Sequence, residues 1–258
     1  MQIRLDAIGD QFLGAELKIV TAFQKTNTAK PSKGKASTSS TTSVSIEHWS
    51  DKGLKEEFNH LKAAKNFKAG KDETLSFTGA TGETVWVIGL GDKSKAKAED
   101  IRKSAAKSYK NAKSAKYATI AFDVPGFNVV RDEVLTSQLI AEAVYLSDYS
   151  FDKYKSKKTE TVQNTVILGR VEKKNSAKIE KALASTRNIG ESINVMKDFI
   201  NEAPNFLHSV EYAKRVEEDV KKNLKGVKVK ILNKAQIQKE KMGMFLSVNA
   251  GSAHEPRL

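Results

Sequence analysis

Apolar and polar positions alternate along this chain in a rhythm that changes from strand to helix several times. Leu17, Ile19, Val20 and Phe23 supply apolar β-formers and predict a strand within the first 25 residues. The tract Thr26 to Ser43, rich in Ser, Thr and Lys and holding Pro31 and Gly34, has almost nothing to bury and predicts a mobile loop. Leu54, Phe58, Leu61 and Ala64 recur at helical spacing and predict a helix over 54–67. Two short β runs follow, 74–77 and 84–88, separated by turn signals around Gly79 and Gly82, so a hairpin is expected. The second run is apolar throughout, which predicts an interior strand. A helix over 97–113 places Ile101, Ala105, Tyr109 and Ala112 on one face, with Glu99 and Asp100 in its first turn and lysines at its end. Strands over 117–124 and 162–168 flank a helix over 131–146, whose expected buried stripe is Leu135, Leu139, Ala143 and Leu146. This alternation predicts an α/β fold: a mixed sheet with helices on both faces.

Beyond Gly169-Arg170 the rhythm shifts. A long helix is expected over 176–200, with Ala182, Ile189, Ile193, Met196 and Ile200 on one side. A break at 201–205 precedes a helix over 210–224 whose expected N-cap is Ser209. Val227, Val229 and Ile231 alternate with lysines and predict a strand, 234–241 a short helix, and 244–248 a final strand. A domain boundary is expected near 170–175, dividing the chain into 1–172 and 173–258. The second part reads as the start of another α/β unit, and its last strand finds no partner further along, so the chain looks truncated.

Composition narrows the chemistry. There is no cysteine, which excludes disulfides, thiolate metal sites and a Cys nucleophile. No apolar run approaches the length of a membrane span and the N-terminus lacks a secretory layout, so a cytoplasmic location is expected. The net charge of +13 divides into +7 up to Arg170 and +6 beyond it, a diffuse excess that favours polyanions without building a site. The lysines between Lys93 and Lys116 are the nearest thing to a basic stripe, and they motivate an alternative reading of the chain as a binding module for nucleic acid or another polyanion.

Gly89-Leu90-Gly91 sits where a dinucleotide-binding loop would lie, but Ser94 occupies the third glycine position, so a tight strand-to-helix turn is expected there. His48, His60, His208 and His254 fall in no metal-ligand spacing. The carboxylates Glu56-Glu57 and Glu217-Glu218-Asp219 are helix neighbours that do not converge on one point. No G-x-S-x-G elbow occurs.

Several stretches, in order, resemble the leucyl aminopeptidase (cytosol aminopeptidase) family. Asn201-Glu202-Ala203-Pro204-Asn205-Phe206-Leu207 resembles the family's N-E-x-P-N-x-L segment at the start of the catalytic domain. The run 241–252, with Met242-Gly243, Val248 and Gly251-Ser252, is similar to its G-M-G-x-x-x-x-V-x-x-G-S strand, and Pro256-Arg257 to the P-R that follows. Val87-Ile88-Gly89-Leu90-Gly91 and the run from Tyr149 to Lys155 fit the N-terminal domain. Two positions depart from the pattern: Lys197 stands for the usual Arg before Asp198, and His208-Ser209 for the usual Thr-Pro.

The resemblance implies an N-terminal α/β domain joined to the start of a catalytic domain, in an enzyme that removes N-terminal residues from peptides and assembles as a hexamer through its catalytic domains. It implies two divalent metals, zinc or manganese, which activate a bridging water. The family's metal ligands lie in motifs of the V-G-K-G-x-x-F-D type, absent from this sequence, and Glu240 and Glu255 match no ligand position. No catalytic, cofactor-binding or metal residue is therefore expected within these residues, and the chain alone is expected to be inactive.

Overall fold

A computed structural model describes residues 1–6, 14–28, 40–46, 52–79, 82–157 and 164–258. The chain forms two compact units, Met1–Ser192 and Ile193–Leu258.

The first unit is built on one sheet. Its strands are β1 (Gln2–Asp6), β2 (Leu17–Thr28), β3 (Ser40–Ser45), β4 (Thr74–Thr78), β5 (Thr84–Asp92), β6 (Thr119–Asp123) and β7 (Thr165–Gly169). The order is β1-β7-β6-β2-β5-β4, and β3 pairs with the outer end of β2. β1, β7, β6, β2 and β5 run parallel; β4 and β3 are antiparallel to their neighbours. Parallel neighbours need long crossovers, and helices supply two of them. α2 (Ala98–Ser114) joins β5 to β6, and α4 (Glu133–Ser147), after the single turn α3 (Val124–Phe127), leads from β6 to β7.

Period-2 alternation sorts the strand residues between two cores. On one face Leu17 and Ile19, Ile120 and Phe122, and Val166 and Leu168 pack beneath α2 and α4. On the other, Val20, Ala22, Val85 and Val87 meet Leu75, Phe77 and the α1 (Lys52–Ala64) side chains Leu54 and Phe58. Each large apolar side chain sealed in this way contributes about 1.5–3 kcal/mol. The expected α/β architecture holds, with β5 an interior strand and β4–β5 a hairpin.

α2 buries Ile101, Ala105, Tyr109 and Ala112, as its period predicts. α4 differs from expectation. Leu139 and Ala143 are buried but Leu135 and Leu146 lie at the margin, and the sealed face instead includes Thr136, Ser137, Ile140, Ala141 and Val144. A helix rich in apolar residues around its circumference has no single stripe to read, and the face chosen is set by what it packs on. The expected loop at 26–43 is strand at both ends, because β2 runs to Thr28 and pairs with β3 from Ser40; residues 29–39 lie outside those described. Backbone pairing across a hairpin overrides a weak side-chain signal.

α5 (Ser176–Asn201) starts in the first unit, where Ile179, Leu183, Thr186 and Gly190 are its buried residues. Ile189, Ile193, Met196 and Ile200, which the spacing places on one side, are exposed. The second unit holds α6 (Ser209–Asn223), α7 (Lys234–Lys239) and α8 (Gly243–Val248). Two strand expectations fail in it. Residues 227–231 form no strand; next to them Leu232 exchanges two backbone hydrogen bonds with Leu258, at 2.7 and 3.2 Å. Residues 244–248 are helix α8, not strand. A five-residue apolar run has no period long enough to separate strand from helix, and with no neighbouring strand to pair with, a helix satisfies its backbone internally. Ser209 is not the N-cap of α6: His208 occupies that place, and the Ser209 hydroxyl donates to the Glu255 carbonyl at 2.5 Å. Among the described residues no helix is long and apolar enough to cross a membrane.

Candidate functional site

The parallel strands deliver three polar side chains to their carboxyl ends. Asp123 closes β6, Arg170 follows β7, and Thr21 lies on β2. Arg170 donates from Nε to Asp123 Oδ1 at 2.7 Å and from Nη2 to Oδ2 at 2.8 Å, a two-pronged contact that only a guanidinium makes. The Asp123 side chain is 1% exposed. Gly126, one turn on, is held so close that a Cβ there would lie 2.6 Å from Asp123 Oδ2 and 2.9 Å from Thr21 Oγ1. This group is a buried clasp between adjacent strands.

A second network joins α2 to the end of α4. The buried Tyr109 hydroxyl and the Lys113 ammonium both donate to Asp148 Oδ1, each at 2.7 Å. Burial, followed by the bond to Asp148 and that group's charge, drives the Tyr109 pKa far above the ordinary phenol value. Burial works against the Asp148 charge, but the bonds from Lys113 and Tyr109 outweigh it and hold the carboxyl below its ordinary range.

An open site lies further along α2. Ser104, Lys107, Ser108 and Asn111 recur at offsets of 3, 4 and 7, which puts them on one helix face. Across from them, Thr74 and Ser76 of β4 lie in register with Ile88 and Trp86 of β5. Their alternation turns these four toward α2, while Leu75 and Phe77 enter the opposite core. β4 is the outermost strand on its side, and on α2 Lys107 and Asn111 are exposed beside the buried Ser104 and Ser108. The result is a cleft of about 260 Å³ with Trp86 and Ile88 as its apolar wall. Trp86 is braced edge-on by Tyr117 at 5.8 Å, and the Tyr117 hydroxyl donates to Thr84 Oγ1 at 3.2 Å. Asp72 and Lys107 face each other across the cleft at 3.6 Å. The Ser104 hydroxyl is buried in the lining and makes no hydrogen bond. An unmet buried hydroxyl costs about 1–3 kcal/mol, so it marks a place where a partner from outside would be stabilising.

The residues singled out in the sequence are scattered. Gly89 and Gly91 lie inside β5 and form no tight turn. A Cβ on Gly89 would stand 2.1 Å from the Gly70 carbonyl, so glycine is required there for backbone to approach backbone. His48 lies outside the described residues. His60 and Glu56-Glu57 are exposed on α1, and Glu240 and Glu255 are exposed as well. His208 and His254 stack in the second unit with ring centres 3.7 Å apart. Of the basic stripe, Lys95, Lys103, Lys107 and Lys113 pair with Asp92, Glu99, Asp72 and Asp148. Glu202 of the N-E-x-P-N-x-L segment is buried, and Arg215 of α6 donates to it at 2.9 Å while its Nε holds Glu211, also at 2.9 Å. Among the described residues, no three His, Asp or Glu side chains gather to hold a metal ion. The residues present do not fit a two-metal centre, and no hydrolytic step is assigned to them.

A mixed sheet with helices laid on it, followed by a helical segment with a buried Glu–Arg pair, defines the class as α/β. The model of the cytosol aminopeptidase family N-terminal domain matches residues 27–158, and that of the family's catalytic domain matches residues 194–258. The chain belongs to the cytosol aminopeptidase family. It is 31% identical over 188 residues to a probable cytosol aminopeptidase of Sinorhizobium fredii, covering 70% of this chain and 36% of that protein. A probable cytosol aminopeptidase of Clostridium perfringens is 29% identical over 210 residues, covering 80% and 42%. The chain thus spans about two-fifths of the length of these relatives. Among solved structures, a mutant of tomato leucine aminopeptidase superposes with a TM-score of 0.77 at 18% identity, covering 99% of this chain and 49% of that one. The bottromycin maturation enzyme BotP in complex with Mn gives a TM-score of 0.64 at 17% identity, covering 95% and 44%. These likenesses confirm the fold.

Proposed function

We propose that this chain is the scaffold of a metal-dependent aminopeptidase that removes N-terminal residues from peptides, with residues 1–172 as its N-terminal domain and 173–258 as the opening of its catalytic domain. The observation that carries this reading is the ordered match of both family domain models along one chain. The metals, manganese or zinc, and the groups that hold them belong in this reading to family segments that these residues do not include, as does the hexamer interface. The cytoplasm is the proposed location, in keeping with the relatives' description as cytosol aminopeptidases. The alternative, a polyanion-binding module, draws on lysines of α2 that are in part already paired with acids of the same chain.

The 258-residue chain, purified and assayed with a leucine-linked chromogenic substrate plus Mn²⁺ or Zn²⁺, is expected to show no metal-dependent turnover and no stoichiometric metal after dialysis. Turnover proportional to added metal would overturn the assignment of the catalytic groups to segments outside these residues. A gel shift that persists at moderate salt and weakens steeply as salt rises would favour the polyanion module instead.

A further inference from the structure

We propose that the cleft between α2 and the β4–β5 hairpin binds a free α-amino acid with an apolar side chain. The inference concerns the first unit alone and does not rest on the aminopeptidase reading.

Three features of the cleft select this chemistry. The first is a pair of opposite charges that face each other across its mouth. Lys107 and Asp72 stand 3.6 Å apart with side chains 53% and 59% exposed, whereas Lys71–Asp100 and Lys113–Asp148 close to 2.7 Å. A loose, solvated pair gains little from its own contact, so both charges can be shared with a ligand at small cost. The second is the sorting of neutral polar groups. Hydroxyls of Ser104 and Ser108 flank Lys107 on α2, and Thr74 stands two residues from Asp72. One wall therefore offers an ammonium with hydroxyl donors, which suits a carboxylate; the other offers a carboxylate with a hydroxyl acceptor, which suits an ammonium. The third is the apolar surface of Trp86 and Ile88 beside them. A molecule carrying a carboxylate and an ammonium on one carbon, with a hydrocarbon branch, meets all three. A residue inside a peptide carries neither charge. A simple fatty acid or amine satisfies one wall and strands the other.

The Ser104 hydroxyl carries a further mark. The residue is only 4% exposed, it lines the cleft, and its hydroxyl has no hydrogen-bond partner in the protein. A carboxylate seated against Lys107 would accept from it.

The test follows the Trp86 indole N–H resonance in the ¹⁵N-labelled 258-residue chain, assigned by its loss in Trp86→Phe. L-leucine is expected to shift it saturably. Leucinamide, which lacks the carboxylate, and 4-methylpentanoate, which lacks the ammonium, are expected to bind at least about tenfold more weakly, the loss typical of one charge-assisted contact. Asp72→Asn and Lys107→Gln are each expected to weaken leucine about tenfold while leaving the amide spectrum folded, since both side chains are exposed. Ser104→Ala is expected to weaken leucine by a smaller factor. No saturable shift with leucine up to its solubility, an equal response to all three compounds, or an unchanged response in Asp72→Asn and Lys107→Gln would each overturn the proposal.

Discussion

In Met1–Ser192 the large side chains of β2, β6 and β7 are sealed between strand and helix: Leu17, Ile19, Ile120, Phe122 and Leu168 are fully buried. In Ile193–Leu258, among the described residues, Ile237 is the large apolar side chain that is fully enclosed, while Ile200, Met244 and Val248 are 76%, 87% and 88% exposed. α2 of the first stretch and α6 of the second are alike in their mix of apolar and charged positions. They differ in what the helices lean on. Parallel strands gather residues from 5, 120 and 168 into one layer, and any helix laid on that layer is buried at once. Short helices without a sheet must find their own complement, and in α6, α7 and α8 Ile237 is fully buried while Met244 and Val248 stand mostly in water. An amphipathic period specifies a helix; it does not supply the surface that covers it.

That contrast can be tested by substitution. Trp86 belongs to the first unit and no tryptophan follows it in the sequence, so urea unfolding followed by tryptophan emission reports on that unit. Arg170→Ala, which takes the guanidinium away from the buried Asp123 carboxylate, is expected to cost about 3–5 kcal/mol. Arg215→Ala in the second unit takes a guanidinium from Glu202 in the same manner, but Arg215 is more exposed, and a visibly smaller loss of amide-exchange protection in α6 is expected. Equal losses would mean that the two units are equally well packed. Gly89→Ala, which forces a Cβ against the Gly70 carbonyl, is expected to cost about 1–3 kcal/mol in the same unfolding assay.

Asp148→Asn is expected to cost about 1–2 kcal/mol at pH 7. Its pH dependence has a definite sign. The folded carboxyl titrates below its ordinary 3.8, so its stabilisation is present above pH 3.8 and disappears as pH falls through the lower folded value. The gap between the unfolding midpoints of the native chain and the Asp148→Asn variant should therefore narrow in acid; a constant gap would show that Tyr109 and Lys113 do not favour the charged form. Smallest of all, Met244→Ser and Lys103→Ala, both on exposed faces, are expected to change stability by less than about 0.5 kcal/mol.

What was legible in the residues follows the same division. Ile101, Ala105, Tyr109 and Ala112 announce both a helix and its buried side, because a long single-stripe period leaves one solution. The hairpin around Gly79 and Gly82 and the interior strand from Thr84 were equally plain. The runs at 227–231 and 244–248 were not, since β-formers make a strand only where a neighbour accepts their hydrogen bonds. Site chemistry was harder still. Nothing in the sequence ties Asp123 to Arg170, which lie 47 residues apart and meet only because β6 and β7 are adjacent. The cleft left one trace: Ser104 and Ser108, four residues apart on the buried side of an otherwise apolar helix face, where polar side chains cost free energy unless something meets them. The family resemblance identified the scaffold.

Arg170 carries a backbone angle φ of +59°, in the left-handed region where a β-carbon costs roughly 1–2 kcal/mol. Main chain and side chain thus make opposed demands on one position. Glycine would relax the former and forfeit the grip on Asp123; lysine would keep a cation but lose the fork that grasps both oxygens. Position 170 is consequently intolerant in every direction, and a survey of all nineteen replacements should find no neutral one.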